Sequence, residues 1–304
     1  MGHPEPRGFV LTANSYNYFL ETNNLRERID HKLVRLDINS ASSLEKTSKV
    51  LVELILSAQV PMAIEEEITA ALKEISKEHK GRLGVSVRSS PVGEDSEASF
   101  SRQYESVLIV EPNLVVQSYQ EVVASKYSPR ALNYRINYGL SDRETPMAVL
   151  VLEMIDAGAS GVVYTVDPEN PDDDTVVIHC TRGLGKLLVD GSVTPSVIRV
   201  KREPPGELER DNEIFQPVKA VSASAGGIQI VSGVNDVPAN LALDDDSARK
   251  LVEWAIKLED FYGVPQDIEW CIDNQGKLVI LQSRPLHLED VEPEMIDCSN
   301  IGVD

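Results

Sequence analysis

Cysteine is scarce. The 304-residue chain has three, Cys180, Cys271 and Cys298, an odd number without the spacing of a metal or disulfide framework. Reduced thiols in a cytoplasmic protein are the simplest reading. No apolar run approaches the roughly 20 residues needed to cross a bilayer. The opening Met-Gly-His-Pro-Glu-Pro lacks the basic and apolar regions of a secretory signal. Cations are in deficit, 29 Lys and Arg against 49 Asp and Glu, for a formal net charge of −20. Such a chain suits neither nucleic acid nor an anionic membrane as partner, although local basic groups and a metal can still build a phosphate site. There is no Walker-type loop and no internal repeat. A chain of this length can bury a sizeable core, as one bilobal domain or two smaller ones.

What is present is concentrated near the C-terminal end. Asp267 to Ile272 alternates, Asp273-Asn274-Gln275-Gly276 is turn-like, and Lys277 to Pro285 alternates again, the pattern of a β-hairpin. A two-residue loop at Asn274-Gln275 predicts that Asp273 pairs with Gly276 and Asp267 with Gln282. Asp267, Glu269, Gln282 and Arg284 then share one face, and Ile268, Trp270, Ile272, Val279 and Leu281 the other. A three-residue loop is expected to put Glu269 and Gln282 on opposite faces. Two carboxylates, an amide oxygen and a guanidinium on one face suit Mg²⁺ and phosphate. The plainer reading is an ordinary half-exposed polar face.

Upstream, Gly8 to Thr12 reads as a strand and Tyr16 to Leu20 as a helix. Two amphipathic helices follow, Leu44–Leu56 capped by Ser43, and Glu65–Lys77 opened by Pro61 and ended by Gly81. Val85-Ser86-Val87 is a strand leading into a loop, Arg88-Ser89-Ser90-Pro91, whose guanidinium, hydroxyls and turn N–H groups could meet phosphate oxygens. Further helices start at Pro112 and near Ser128-Pro129-Arg130. From Met147 strands dominate, at 147–155, 161–166, 175–180, 196–201 and 227–231, with a polar connector at 201–211. A helix from Asp246 to Phe261, with Trp254 in its core-facing stripe, precedes the hairpin. Helices first and strands second, without a regular βαβ repeat, predicts an α+β fold in two lobes with a cleft between them.

The stretch Val87-Arg88-Ser89-Ser90, Glu94-Asp95, Ala98-Ser99-Phe100, together with Asp267-Ile268-Glu269-Trp270 and Leu278 to Pro285, resembles the ATP-binding domain of the phosphoenolpyruvate synthase / pyruvate phosphate dikinase family. The resemblance implies a two-lobed, ATP-grasp-like domain. Residues 1–143 would form a helix-rich lobe carrying the Arg-Ser-Ser loop. Residues 144–288 would form a strand-rich lobe carrying an adenine edge and the metal-binding hairpin, and 289–304 a linker or tail. It implies Mg²⁺ on Glu269 and Gln282 with Asp267 supporting the metal shell, and ATP phosphates on Arg88, Ser89, Ser90 and Arg284. Leu152 to Ile155 and Ser160 to Pro168 look like the family's adenine-binding strands, so Glu153, Met154 and Ile155 become adenine-edge candidates. For Met154 and Ile155, ordinary core packing is the other reading.

Two positions depart from the family pattern. Arg102 stands where Gly is usual, and Lys186, in Gly183-Leu184-Gly185-Lys186, stands where the family has Glu. Arg130 and Arg135, in a "S…RA..YR" match, read as surface helix residues paired with acids; the alternative places Arg135 in the cleft. The family's upstream lysine segment, its phosphorylatable histidine and its pyruvate-binding barrel have no counterpart. None of His3, His31, His79, His179 and His287 has the histidine's context. The implied reaction carries the ATP β-phosphate to a histidine on another domain of the parent protein and then to pyruvate. The expected partners are therefore ATP and those phosphohistidine and pyruvate-binding domains, without nucleic acid or membrane. A non-catalytic nucleotide-binding module, or a related phosphotransferase with another acceptor, stays open.

Overall fold

The computed structural model describes residues 4–78, 84–92, 104–202, 206–211, 216, 218–223, 226–232, 243–286 and 288. Gly81, Glu94, Asp95, Ala98 to Phe100, Arg102, Gln103, Cys298, the expected tail and three of the histidines (His3, His79, His287) lie outside them.

Strand β1 (Gly8–Leu11) runs into helix α1 (Ala13–Thr22), followed by α2 (Leu25–Val34), α3 (Ala41–Leu56) and α4 (Met62–Glu78). The cap of α3 is Ser40, whose hydroxyl accepts from the Ser43 N–H at 3.3 Å. The expected Ser43 is thus the partner of the cap, one turn inside the helix. Pro61 opens α4 through its carbonyl, which accepts from Ile64 and Glu65. Next come β2 (Val85–Pro91), β3 (Ser106–Val110), a short 3₁₀ turn at Pro112–Leu114, α5 (Val115–Ser125), α6 (Pro129–Asn137) and β4 (Met147–Glu153). Ser128 caps α6 and Pro129 fills its first position, where a missing N–H costs nothing.

The first sheet has the antiparallel order β1-β4-β2-β3. Val85, Val87, Met147, Val149 and Val151 face the helices and bury Tyr16, Phe19, Leu51, Tyr119 and Val122. The opposite face carries Val10, Leu150 and Arg88 in one row and Ala148 with Ser90 in another. Because β4 lies inside this sheet, the expected boundary at 143/144 falls ahead of a strand that belongs to the first half. The change to strand-rich sequence is a change of secondary structure; the sheets change later, between Glu153 and Ala157.

The second half begins with β5 (Ala157–Tyr164), β6 (Thr175–Arg182), a single helical turn α7 (Lys186–Val189), β7 (Ser196–Lys201) and β8 (Leu208–Arg210). A separate two-stranded ribbon, β9 (Val218–Ser222) and β10 (Ile228–Ser232), precedes α8 (Asp245–Tyr262), β11 (Gln266–Asp273) and β12 (Leu278–Pro285). Part of the expected polar connector is therefore β8, paired to β7. Helix α8 is capped by Asp244, which accepts from Ser247 N–H at 2.7 Å, and ended by Gly263 at φ 73°, a left-handed cap that glycine adopts freely. The antiparallel sheet β12-β11-β5-β6-β7-β8 packs one face on α8, burying Val163, Ile178, Ile198, Leu251, Trp254, Ile268 and Trp270.

Each sheet is thus backed by helix on one face, and the remaining faces converge. A third apolar cluster lies between them: Ile109 from β3, Met154 and Ile155 from the crossing, Leu184 and Leu187, and Cys271 and Val279 from the hairpin. The ribbon adds a second junction, Gly227 N–H donating to Ile109 carbonyl at 3.1 Å. The fold is α+β, antiparallel throughout both sheets. Among the described residues no helix is long and apolar enough to cross a membrane.

Candidate functional site

The hairpin decides where the polar groups point, and it does so with two offsets. The turn holds three residues, Asn274 to Gly276, between Asp273 and Lys277. Asp273 N–H donates to Lys277 carbonyl at 3.0 Å, and the Asp273 carboxylate accepts from the N–H groups of Gln275 and Lys277 at 2.8 Å each. Gly276 sits at φ 81°. This overturns the expected Asn274-Gln275 loop, because the Asp273 side chain organises a longer one.

A bulge then intervenes: Trp270 pairs with Ile280, but Glu269 pairs with Gln282, leaving Leu281 over. The extra turn residue and the extra strand residue each reverse the parity, and together they restore it. Glu269 consequently lies directly opposite Gln282 and Asp267 opposite Arg284, all four on one face, as expected, but from a different register. The expected inner face is corrected in turn. Ile280 joins Ile268, Trp270 and Ile272 against α8, whereas Val279 and Leu281 belong to the cluster between the sheets.

Arg88 reaches this face from the first sheet. Its Nη2 donates to Glu269 Oε2 at 3.3 Å and to Gln282 Oε1, joining residues far apart in the chain. The expected Arg-Ser-Ser loop is instead strand: β2 continues to Pro91, paired with β4 throughout, while its ladder to β3 stops at Arg88–Ser106. Ser90 shares the Arg88 face; Ser89, opposite Val149, is on the helix side.

Asp267 is turned towards Arg284. Its Oδ2 accepts from Nε at 2.8 Å and Nη2 at 2.6 Å, and only 10% of its side chain is exposed. Burial works against the Arg284 charge, but the Asp267 carboxylate, its hydrogen bonds and Glu269 outweigh it and raise the guanidinium pKa. Tyr164 is opposite Asp267 on the next strand, in edge contact with the His179 ring at 5.3 Å. Burial lowers the His179 pKa.

Glu269 and Gln282 fit a small divalent cation: one nitrogen already touches both oxygens, and both are hard donors. Among the described residues no group of three His, Cys, Asp or Glu could hold a metal. A cation here would therefore take its other ligands from phosphate and water, the usual habit of Mg²⁺.

At the crossing, Glu153 N–H donates to Arg7 carbonyl at 2.8 Å and Met154 N–H to Gly84 carbonyl at 2.9 Å. The Glu153 carboxylate accepts from Arg7, with Nη2 at 2.9 Å. Of the adenine-edge candidates, Glu153 is thus tied to the N-terminal strap, while Met154 and Ile155 pack in the cluster between the sheets. Lys186, half-exposed, pairs with Asp190 at 2.8 Å. Arg130 is exposed. Arg135 is neither on the surface nor in the cleft: it is 3% exposed in the helical layer, paired with Asp142 at 2.7 Å. Cys180 and Cys271 are buried, and burial pushes both thiols up to about 12.

Sequence reasoning missed Arg7, Tyr164 and the strap. Pro4 carbonyl accepts from Ile280 N–H at 3.1 Å, so residues 4–7 run from the bulged strand to the end of β4. It also missed the need for Gly161, where a Cβ would lie 1.9 Å from the His179 carbonyl oxygen and 2.9 Å from the Trp270 ring. A lone glycine in an apolar strand run is the signal that could have found it.

Residues 1–299 match the family described as pyruvate phosphate dikinase, AMP/ATP-binding domain. The chain is 32% identical to a phosphoenolpyruvate synthase of Deinococcus radiodurans over 92% of its own length and 36% of the relative's. It is 34% identical to that of Neisseria meningitidis serogroup B, over 92% and 37% respectively. For the enzyme of Escherichia coli K12 the identity is 30%, over 94% and 38%. The chain spans less than two fifths of the length of these curated relatives.

Proposed function

The chain belongs to the pyruvate phosphate dikinase AMP/ATP-binding domain family, and from that premise we propose that its converging sheet faces bind Mg-ATP as the nucleotide-binding part of a phosphoenolpyruvate synthase-like phosphotransferase. The two halves then act as ATP-grasp-like lobes, and the parent protein supplies the phosphohistidine and pyruvate-binding domains in the cytoplasm. The observation that carries this reading is the meeting of Arg88 with Glu269 and Gln282, a phosphate-type cation from one sheet on a metal-type oxygen pair from the other.

In this reading Glu269 and Gln282 hold Mg²⁺, which neutralises phosphate charge when bound. Arg88 and Arg284 present guanidinium forks to the phosphate oxygens, and Ser90 shares the Arg88 face. Asp267 fixes the plane of Arg284. Met154 and Ile155 give the base an apolar edge. The chain's contribution to phosphoryl transfer is positioning and charge neutralisation, with the acceptor elsewhere in the parent.

Calorimetric titration with ATP, with and without Mg²⁺, tests the reading. Mg²⁺-dependent binding is expected, and Glu269→Gln should weaken it by about 1.5–3 kcal/mol, the usual contribution of a hydrogen bond to a charged group. Undiminished Mg-ATP binding by Glu269→Gln refutes the site. Phosphoenolpyruvate formation from ATP and pyruvate by this chain alone refutes the division of labour. A nucleotide-binding module without turnover is the second reading, favoured by Lys186, which pairs locally with Asp190 where the resemblance calls for a carboxylate.

A further inference from the structure

Arg88 and a divalent cation make the same demand on the same two oxygens. Its Nη2 lies 3.3 Å from Glu269 Oε2 and in hydrogen-bond contact with Gln282 Oε1. A Mg²⁺ ion bound to those atoms would sit about 2.0–2.1 Å from each, inside the space between them and the guanidinium. Two cations cannot share that position, so one must leave. The metal ligands belong to a hairpin paired on both its strands' shared edge and on β5. The backbone of Arg88 is equally fixed, paired with Leu150 on one side and Ser106 on the other. What can move is the Arg88 side chain, which has several rotatable bonds and is 24% exposed.

We propose, resting on the Mg-ATP reading of this site, that Arg88 is the resident counter-ion of the Glu269–Gln282 pair and that nucleotide phosphate makes the site available to metal by drawing the guanidinium away. A triphosphate offers Arg88 several charged oxygens in place of one carboxylate and one amide, and the planar fork matches phosphate geometry. That difference in attraction is what moves the side chain. Metal and nucleotide therefore enter together, each raising the affinity for the other, and free divalent cation is excluded from the empty cleft.

The test uses the full 304-residue chain and Mn²⁺ alone, with free ion counted by electron paramagnetic resonance. Without nucleotide, Arg88→Gln should bind Mn²⁺ about tenfold more tightly than the parent, the equivalent of one charged hydrogen bond no longer competed for. Arg88→Lys keeps the charge and should stay near the parent value. Adding Glu269→Gln to Arg88→Gln should abolish the gain. Equal Mn²⁺ affinity in parent and Arg88→Gln, or a tenfold gain in Arg88→Lys, overturns the proposal. The site reading is judged separately: if Glu269→Gln in the parent still weakens Mg-ATP binding, the site stands although the counter-ion role has failed. Thermal unfolding of each variant checks that the fold is retained; if Arg88→Gln fails to fold, Arg88→Met replaces it under the same expectations.

Discussion

Asp142→Asn should destabilise the chain strongly at pH 6 and less at pH 9. One Asp142 oxygen accepts from both Arg135 Nη1 at 2.7 Å and Lys126 Nζ at 3.0 Å, and the other from the Tyr127 hydroxyl at 3.3 Å. The side chains of Lys126, Arg135 and Asp142 are 0%, 4% and 7% exposed. Removing one partner of a buried ion pair costs about 3–5 kcal/mol, because the other charge is left uncompensated. Here two cations are left. Lys126 has an exit, since burial has already pulled its pKa down to about 7 against the opposing pull of Asp142. At pH 9 it is largely neutral in parent and variant alike, so only Arg135 loses its partner, and the cost should fall towards about 3 kcal/mol, the low end of that range.

The sign follows from proton counting. A lysine depressed in the folded state is protonated more in the unfolded chain between pH 7 and its ordinary value, so stability rises with pH across that window and the contribution is lost as pH falls to about 7. Urea unfolding at both pH values, read by fluorescence, gives the two differences, and Lys126→Met should flatten the parent's slope above pH 7. A cost below about 1 kcal/mol at pH 6, the range of a surface pair, or a larger cost at pH 9, would refute the reasoning.

Asp267→Asn should leave the Mg²⁺ dependence of ATP binding intact, because its Oδ2 serves Arg284; if the ratio of affinities with and without Mg²⁺ collapses to one by calorimetry, Asp267 is a metal ligand. Gly161→Ala should cost about 3 kcal/mol in chemical denaturation, the upper end for overpacking, since the new Cβ would overlap the His179 carbonyl oxygen. A loss below about 1 kcal/mol there would mean that β5 and β6 separate easily.

What could be read from the sequence was local. Periodicity found α3, α4, α8 and most strands, and Trp254 is core as its spacing required, 8% exposed. The polar quartet was found because its members alternate along two runs joined by a turn. Register was beyond reach, since the Asp273 side chain and the Leu281 bulge set it and neither has a periodic signature. Membership of β4 in the first sheet was also hidden: it pairs with β1 across more than a hundred residues and with β2 across more than fifty, and no local pattern records a partner. Arg135 shows the same limit at short range. Its helical position suggested a surface, but Asp142, seven residues on, folds back beneath it and makes burial affordable. The counter-ion role of Arg88 needed both sheets in place before it could be seen.

The Leu281 bulge couples the phase of the working face to the length of the turn, since one offset cancels the other. Beyond it, from Trp270 and Ile280 to the turn, a change of register by two residues leaves the side-chain sense of Glu269 and Gln282 intact, whereas a change by one must be matched by loss of the bulge. The strap acts at the same place, because Pro4 holds Ile280 at the edge next to the bulge. A lineage could vary the hairpin tip, or an engineer could graft a peptide into Asn274-Gln275-Gly276, while the working face keeps its orientation, provided the register shifts by an even number of residues. Turn and bulge are a matched pair, and an odd change in one has to be answered by the other if Glu269 and Gln282 are to stay on one face.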